Sequence, residues 1–154
     1  MSNVFIYLLW FQFSAITAFV DASNVYGSDD ESLAALRADD GKGKLKTADN
    51  NLLPIDEETD EEFAGDVRAI EMPGLASMHT LFVREHNRLC DLIYEYLGED
   101  DSKGDDYYFE NARRILIAEM QNIVYSEYLP VVLGEDAMEG IYGKGKSGNQ
   151  SAIN

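Results

Sequence analysis

The chain has 154 residues, 45% of them hydrophobic, with 29 acidic against 12 basic side chains and a formal net charge of −17. This is enough for one domain with a real core, and the apolar content excludes disorder throughout. The acidic balance excludes nucleic acid as a partner, because no basic stripe exists to neutralise phosphates, and the single Cys90 excludes an internal disulfide framework.

Val4 to Val20 carries no charge, and Phe5 to Phe11 is nearly all apolar. That length suits the core of a signal peptide better than a membrane-spanning helix, although Met1-Ser2-Asn3 lacks the usual positive flank. Cleavage after Ala15, Ala18 or Ala22 would cut into the next motif, Thr17 to Ser23. There Thr17, Asp21 and Ser23 offer hard oxygens at alternate positions, and the Phe19 carbonyl can join them. Calcium takes six to eight such oxygens. An EF-hand is excluded: counting from Asp21, position six is Tyr26 and position twelve is Ser32. Read alone, the spacing is weak and favours a plain loop over a cation site.

Ser28 to Glu31 reads as a capping box with Ser28 as N-cap, opening a short helix that ends at Gly41 to Lys44. The run Asp56 to Glu62 is a solvated loop in preference to a calcium sponge, since its charges repel and lack ligand spacing. Two long helices follow. Leu75, Met78, Phe82, Leu89, Leu92, Ile93 and Tyr96 keep helical spacing until Gly98 stops the run. After the acidic turn from Glu99 to Asp106, the residues Phe109, Ala112, Leu116, Met120, Ile123 and Val124 mark the second helix, with Tyr128-Leu129-Pro130 at its end. A short polar turn between two helices predicts antiparallel packing. Cys90 reads as a half-buried helix residue. No strand pattern, repeat or linker stands out. The tail from Gly140 reads as disordered, and Asn149-Gln150-Ser151 is a glycosylation sequon of low specificity.

Between the acidic loop and the first long helix, Arg68, Glu71 and Met72 fall at i, i+3 and i+4, so one α-helical turn would place them on one face. A fixed positive charge, an acid and a soft sulfur aimed at one spot suit a large redox cofactor. The competing reading is a surface ion pair beside a core methionine. His79 and His86 stand seven residues apart on one helix face; the spacing is not that of a zinc motif, and both read as satisfied structural histidines.

Two strings carry a family resemblance. TAFVDASNVYGSDD and AGDVRAIEMPGLASMHTLFVREHNRL closely resemble segments of the animal haem peroxidases, and ENARRILIAEMQNIVYSEYLPVVLG is similar to that family's next helix. The resemblance covers residues 16–134, a central slice of the family domain, and leaves 1–15 and 135–154 outside it. It implies a mainly α fold of helices joined by long loops. It implies that Thr17, the Phe19 carbonyl, Asp21 and Ser23 bind calcium. It implies that Arg68 lies beside the distal face of a haem and stabilises charge on the departing oxygen of hydrogen peroxide. Glu71 then matches the glutamate esterified to a haem methyl group, and Met72 the residue that can form a sulfonium link to a vinyl group. His79, His86, Glu119 and Glu127 are structural in that reading. The implied activity is peroxide reduction with oxidation of halide or small organic donors, in a secreted protein. The distal and proximal histidines of the family are expected before residue 1 and after residue 154. A partial gene product or splice form is therefore the expectation, with an apolar start that is not a working signal peptide. The alternative is a catalytically inactive helical protein that binds calcium.

Overall fold

The computed structural model describes residues 17–56 and 59–134. The apolar leader within 1–15, Glu57-Glu58 of the acidic run, the tail and its sequon lie outside the described residues. The elements are α1 (Ser23–Tyr26), α2 (Asp30–Leu36), α3 (Pro73–Tyr96), α4 (Asp105–Asn122) and α5 (Leu129–Leu133), with 3₁₀ turns at Asp49–Asn51, Val67–Glu71 and Asp101–Lys103. Among the described residues there is no strand, only isolated bridges such as Arg37 with Leu45. The fold is mainly α with long loops, as expected.

Pro73 opens α3 at its first turn, where a missing N–H costs nothing. The helix ends at Gly98, whose φ of +76° suits a residue without Cβ and whose N–H donates to the Glu95 carbonyl. The return helix packs antiparallel. Leu81, Phe82 and Glu85 of α3 share a hollow with Glu119 and Asn122 of α4, while Leu92 and Tyr96 share another with Tyr107 and Ile115.

Three local expectations are corrected. The N-cap of α2 is Asp29, not Ser28: Asp29 Oδ1 accepts from the Ser32 N–H at 2.7 Å and Oδ2 from the Ser32 hydroxyl at 2.9 Å, so one carboxylate does the work of the box. The helix also stops at Leu36, before the Gly41 to Lys44 turn, because Arg37 leaves in extended conformation to bridge Leu45. At the far end Pro130 does not finish the helical path. Ile123–Tyr128 widens to a π-helix and the path runs on to Leu133. Proline lacks an N–H and crowds the carbonyl four residues back; a wider turn relieves both.

The core collects Val25, Tyr26, Leu36, Leu45, Leu53, Val83, Leu89, Cys90, Phe109, Ala112 and Leu116. The buried face of α3 is His79, Val83, His86 and Cys90, while Met78, Leu92 and Tyr96 of the expected stripe are exposed. Polar groups on that face are satisfied. His86 Nδ1 lies 2.8 Å from the Tyr26 hydroxyl and Nε2 lies 2.9 Å from the Gly43 carbonyl oxygen. The Cys90 thiol donates to the same carbonyl at 3.2 Å and is fully buried, not half-buried. Phe109 stands 5.1 Å from the His86 ring and 5.6 Å from that of Tyr26, with the Arg37 guanidinium carbon 4.3 Å from its ring centre. Arg37 also pairs with Asp105 and, at 2.6 Å, with Asp106, tying the end of α2 to the start of α4.

Gly43 makes this junction possible. A Cβ there would sit 2.2 Å from the Phe109 backbone nitrogen, and its φ is +78°. Its N–H donates to Asp105 Oδ1 at 2.7 Å while its carbonyl receives His86 and Cys90.

Candidate functional site

The stretch from Gly65 to Pro73 is positioned at both ends. A Cβ on Gly65 would lie 2.4 Å from the Gly27 nitrogen, so only glycine lets this strand of chain pass against α1. Asp66 follows as N-cap of the 3₁₀ turn Val67–Glu71. It is buried, at 8% exposure, and does more than cap. Oδ1 accepts the Arg68 backbone N–H at 2.9 Å and Arg68 Nε at 3.0 Å, while Oδ2 accepts Nη2 at 2.7 Å. The Arg68 guanidinium is thus held in a two-point grip by a fixed carboxylate, with Nη1 uncommitted among the described residues. Arg68 in turn holds the Asp66 carboxyl below its ordinary range, against the opposing effect of burial.

The three sequence-derived residues are neighbours, but not on an α-turn. Arg68 and Glu71 are three apart on a 3₁₀ turn, which aligns them in projection. Met72 leaves that turn at φ −151°, ψ 144° because the following Pro73 disfavours helical geometry before it. All three side chains are exposed, Met72 at 57%, whereas Ala69 on the inner side is buried. Ile70 is exposed beside them and, with Phe63 and Val67, edges a hollow of about 250 Å³ that reaches Asp66. The result is an open wall carrying a cation, a carboxylate and a thioether. Sequence reasoning missed Asp66; an aspartate two residues before the arginine, at a turn start, was the available signal.

Neither histidine belongs to this wall as a free ligand. Both ring nitrogens of His86 are engaged inside the core, and burial lowers its pKa to about 4. His79 Nδ1 lies 3.0 Å from the Asn24 carbonyl oxygen, and burial lowers its pKa too. Both side chains are thus built into the packing of α3, where the sequence placed structural histidines.

Near α1 the chain brings Thr17, Asp21 and Ser23 to one cavity of about 200 Å³, which Asp29 and Asp30 also line. Asp21 Oδ1 accepts the Ser23 N–H at 3.0 Å, and Thr17 Oγ1 accepts the Phe19 N–H at 2.9 Å. Burial raises the Asp21 pKa, but hydrogen bonds from Ser23 and Thr17 outweigh it and the net shift is downward. The Phe19 side chain is exposed outside the cavity. Among the described residues, no group of three or more His, Cys, Asp and Glu side chains could hold a metal ion. The predicted calcium set holds a single carboxylate, with the rest neutral oxygens.

The family model described as animal haem peroxidase matches residues 11–153. The chain belongs to the animal haem peroxidases. It is 38% identical over 141 residues to chorion peroxidase of Drosophila melanogaster, an alignment covering 83% of this chain and 17% of that protein. It is 39% identical over 160 residues to myeloperoxidase of Mus musculus, covering 91% of this chain and 22% of the relative. Among solved structures, the fatty acid alpha-dioxygenase of Arabidopsis thaliana superposes with a TM-score of 0.66 at 30% identity, covering 78% of this chain and 18% of that one. The chain thus spans about a fifth of the length of these curated relatives. No helix of the described residues is long and apolar enough to cross a membrane.

Proposed function

We propose that this chain supplies the arginine–glutamate–methionine wall of a haem peroxidase site, in which hydrogen peroxide is reduced while a halide or small organic donor is oxidised. The observation that carries the reading is the Asp66–Arg68 grip beside exposed Glu71 and Met72, in a chain of this family. The donor set fits one side of a haem: a fixed guanidinium, a carboxylate able to form an ester, and a thioether able to form a sulfonium. Bound haem supplies the redox chemistry of peroxide reduction. Arg68 contributes positive charge where the departing oxygen becomes negative; preorganised charge of this kind is worth about 10²–10³ in rate. Asp66 keeps the guanidinium oriented and charged. Glu71 and Met72 hold the macrocycle.

A second reading is a non-catalytic helical protein that binds calcium through Thr17, the Phe19 carbonyl, Asp21 and Ser23. It is favoured by the placement of both histidines inside the fold, with both ring nitrogens of His86 and Nδ1 of His79 held in internal hydrogen bonds. Oxidation of a chromogenic donor by the haem-supplemented full chain separates the two. Peroxide-dependent turnover that falls at least tenfold in Arg68→Ala supports the first reading; turnover no greater than that of free haem defeats it. Calcium binding abolished by Asp21→Ala supports the second reading of the α1 loop. A secreted location accompanies either reading.

A further inference from the structure

A different cavity, of about 580 Å³, opens between the 38–51 loop and α3 and is lined by Lys44, Lys46, Arg84 and Arg88, with Asp40 and Asp91 among the other residues. The chain has only 12 basic residues against 29 acidic ones, so four cations on one cavity are a local reversal of its charge. Their convergence has a simple origin. Arg84 and Arg88 are four apart on α3 and share a helix face. Lys44 and Lys46 flank Leu45 and point to the same side of non-helical chain. Asn87 locks the two elements together, accepting the Leu45 N–H at 2.8 Å and donating to the Leu45 carbonyl at 3.0 Å.

Both wall carboxylates are already committed. Asp91 Oδ1 pairs with Lys44 Nζ at 2.6 Å, and Asp40 Oδ1 accepts the backbone N–H groups of Lys42 and Lys44 at 2.9 and 3.4 Å. The cations retain capacity. Among the described residues Arg84 has no carboxylate partner: Nε and Nη2 donate to the carbonyls of Asn51 and Asn50 at 2.8 and 3.0 Å, which leaves Nη1. Arg88 gives Nε and Nη2 to Glu85 and, among the described residues, also keeps Nη1. Lys46 is exposed and has no ion pair among the described residues.

We propose that this cavity binds a tetrahedral oxyanion, sulfate or phosphate, either free or as an ester on a larger molecule. Lys46 and the uncommitted nitrogens of Arg84 and Arg88 supply the donors, and guanidinium geometry matches two oxygens of a tetrahedral anion. The net acidity of the chain does not forbid this, because charges beyond about 8 Å are screened at physiological ionic strength. The volume lies within the range of about 300–1,000 Å³ usual for ligand sites, so there is room for the group that an ester carries.

The test titrates the ¹⁵N-labelled full chain with sodium sulfate and sodium phosphate, against sodium chloride at equal ionic strength. Glucose 6-sulfate and glucose 6-phosphate form the second arm. Saturable shifts of the residue 40–51 amides are expected with the sulfate and phosphate probes and not with chloride. Tighter binding of an ester assigns the ligand to esters; equal binding assigns it to the free ion. Lys46→Gln, which changes an exposed side chain with no ion pair among the described residues and leaves its backbone N–H free to donate to Leu36 as before, should raise Kd at least fivefold. Lys103→Gln, elsewhere on the surface, should leave Kd unchanged. Absence of saturable shifts overturns the proposal, as does an unchanged Kd in a Lys46→Gln chain with wild-type thermal unfolding.

Discussion

Asp66 and Arg68 form a two-point ion pair in which one partner is buried and the other faces outward, the acid gripping Nε and Nη2 while it caps the turn that carries the base. The exposed half of such a pair is screened by solvent, so its value lies in orientation more than in stability. Asp66→Ala should cost about 1 kcal/mol through the lost cap, within the usual range of about 0.5–2 kcal/mol for such residues. Urea unfolding measures this. Hydrogen exchange at Arg68 Nε, followed by ¹⁵N NMR, should accelerate in the same variant, and an unchanged exchange rate would show that the grip does not hold in solution.

The buried imidazole of His86 sets an acid limit on the fold. Its pKa falls from 6.5 to about 4 because burial disfavours the cation. Above the unfolded value the group is neutral in both states and its contribution is complete. Between the two values only the unfolded chain takes the proton, so stability declines as pH falls, by on the order of 3 kcal/mol in all. Denaturant unfolding from pH 7 down to pH 4 should show this loss. His86→Gln should weaken the pH dependence, at the cost of a lower plateau.

Gly43 and Gly41 share a positive φ but differ in their surroundings. A Cβ at Gly41 meets nothing within 4 Å, whereas at Gly43 it would overlap the Phe109 backbone at 2.2 Å. Gly41→Ala should therefore cost about 1–2 kcal/mol from backbone conformation alone. Gly43→Ala should exceed that clearly, because α4 must move from the loop and disturb the acceptor of His86 and Cys90. Comparing the two variants by thermal unfolding isolates the contact.

Cys90 is fully buried, and burial together with nearby carboxylates pushes its pKa up to about 12. The thiolate is the reactive form. The native chain should therefore resist iodoacetamide at pH 8 while the urea-unfolded chain is alkylated readily, as mass spectrometry would record. Rapid labelling of the native chain would show the core to be open.

Much of this architecture was legible in the residues themselves. Pro73 and Gly98 punctuate α3 because proline suits a helix's first turn and glycine reaches positive φ without strain, and the string around Arg68 pointed to the family by resemblance. The inward face of α3 was harder to read. His79, Thr80, His86 and Cys90 are buried, while Tyr96 is 89% exposed, so apolar periodicity pointed partly to the wrong stripe. Those polar side chains are buried because partners far away in sequence, Tyr26 and Gly43 for His86 and Asn24 for His79, complete their hydrogen bonds. No local pattern contains that information. The same holds for the turn carrying Arg68: charge spacing suggested an α-turn, but Pro73 dictates the backbone of Met72 and Asp66 dictates the aim of the guanidinium.

The central claim is that Arg68, Glu71 and Met72 face a haem, and covalent retention tests it most directly. The full chain is titrated with haemin, followed by its Soret absorbance, exposed briefly to hydrogen peroxide, and extracted with acidified acetone. The account predicts a saturable Soret change with stoichiometric binding, haem that resists extraction, and a haem-modified peptide containing Glu71 and Met72, with the adduct at Glu71 lost in Glu71→Gln. Absence of saturable haem uptake, or a retained adduct located elsewhere in the chain, would contradict it.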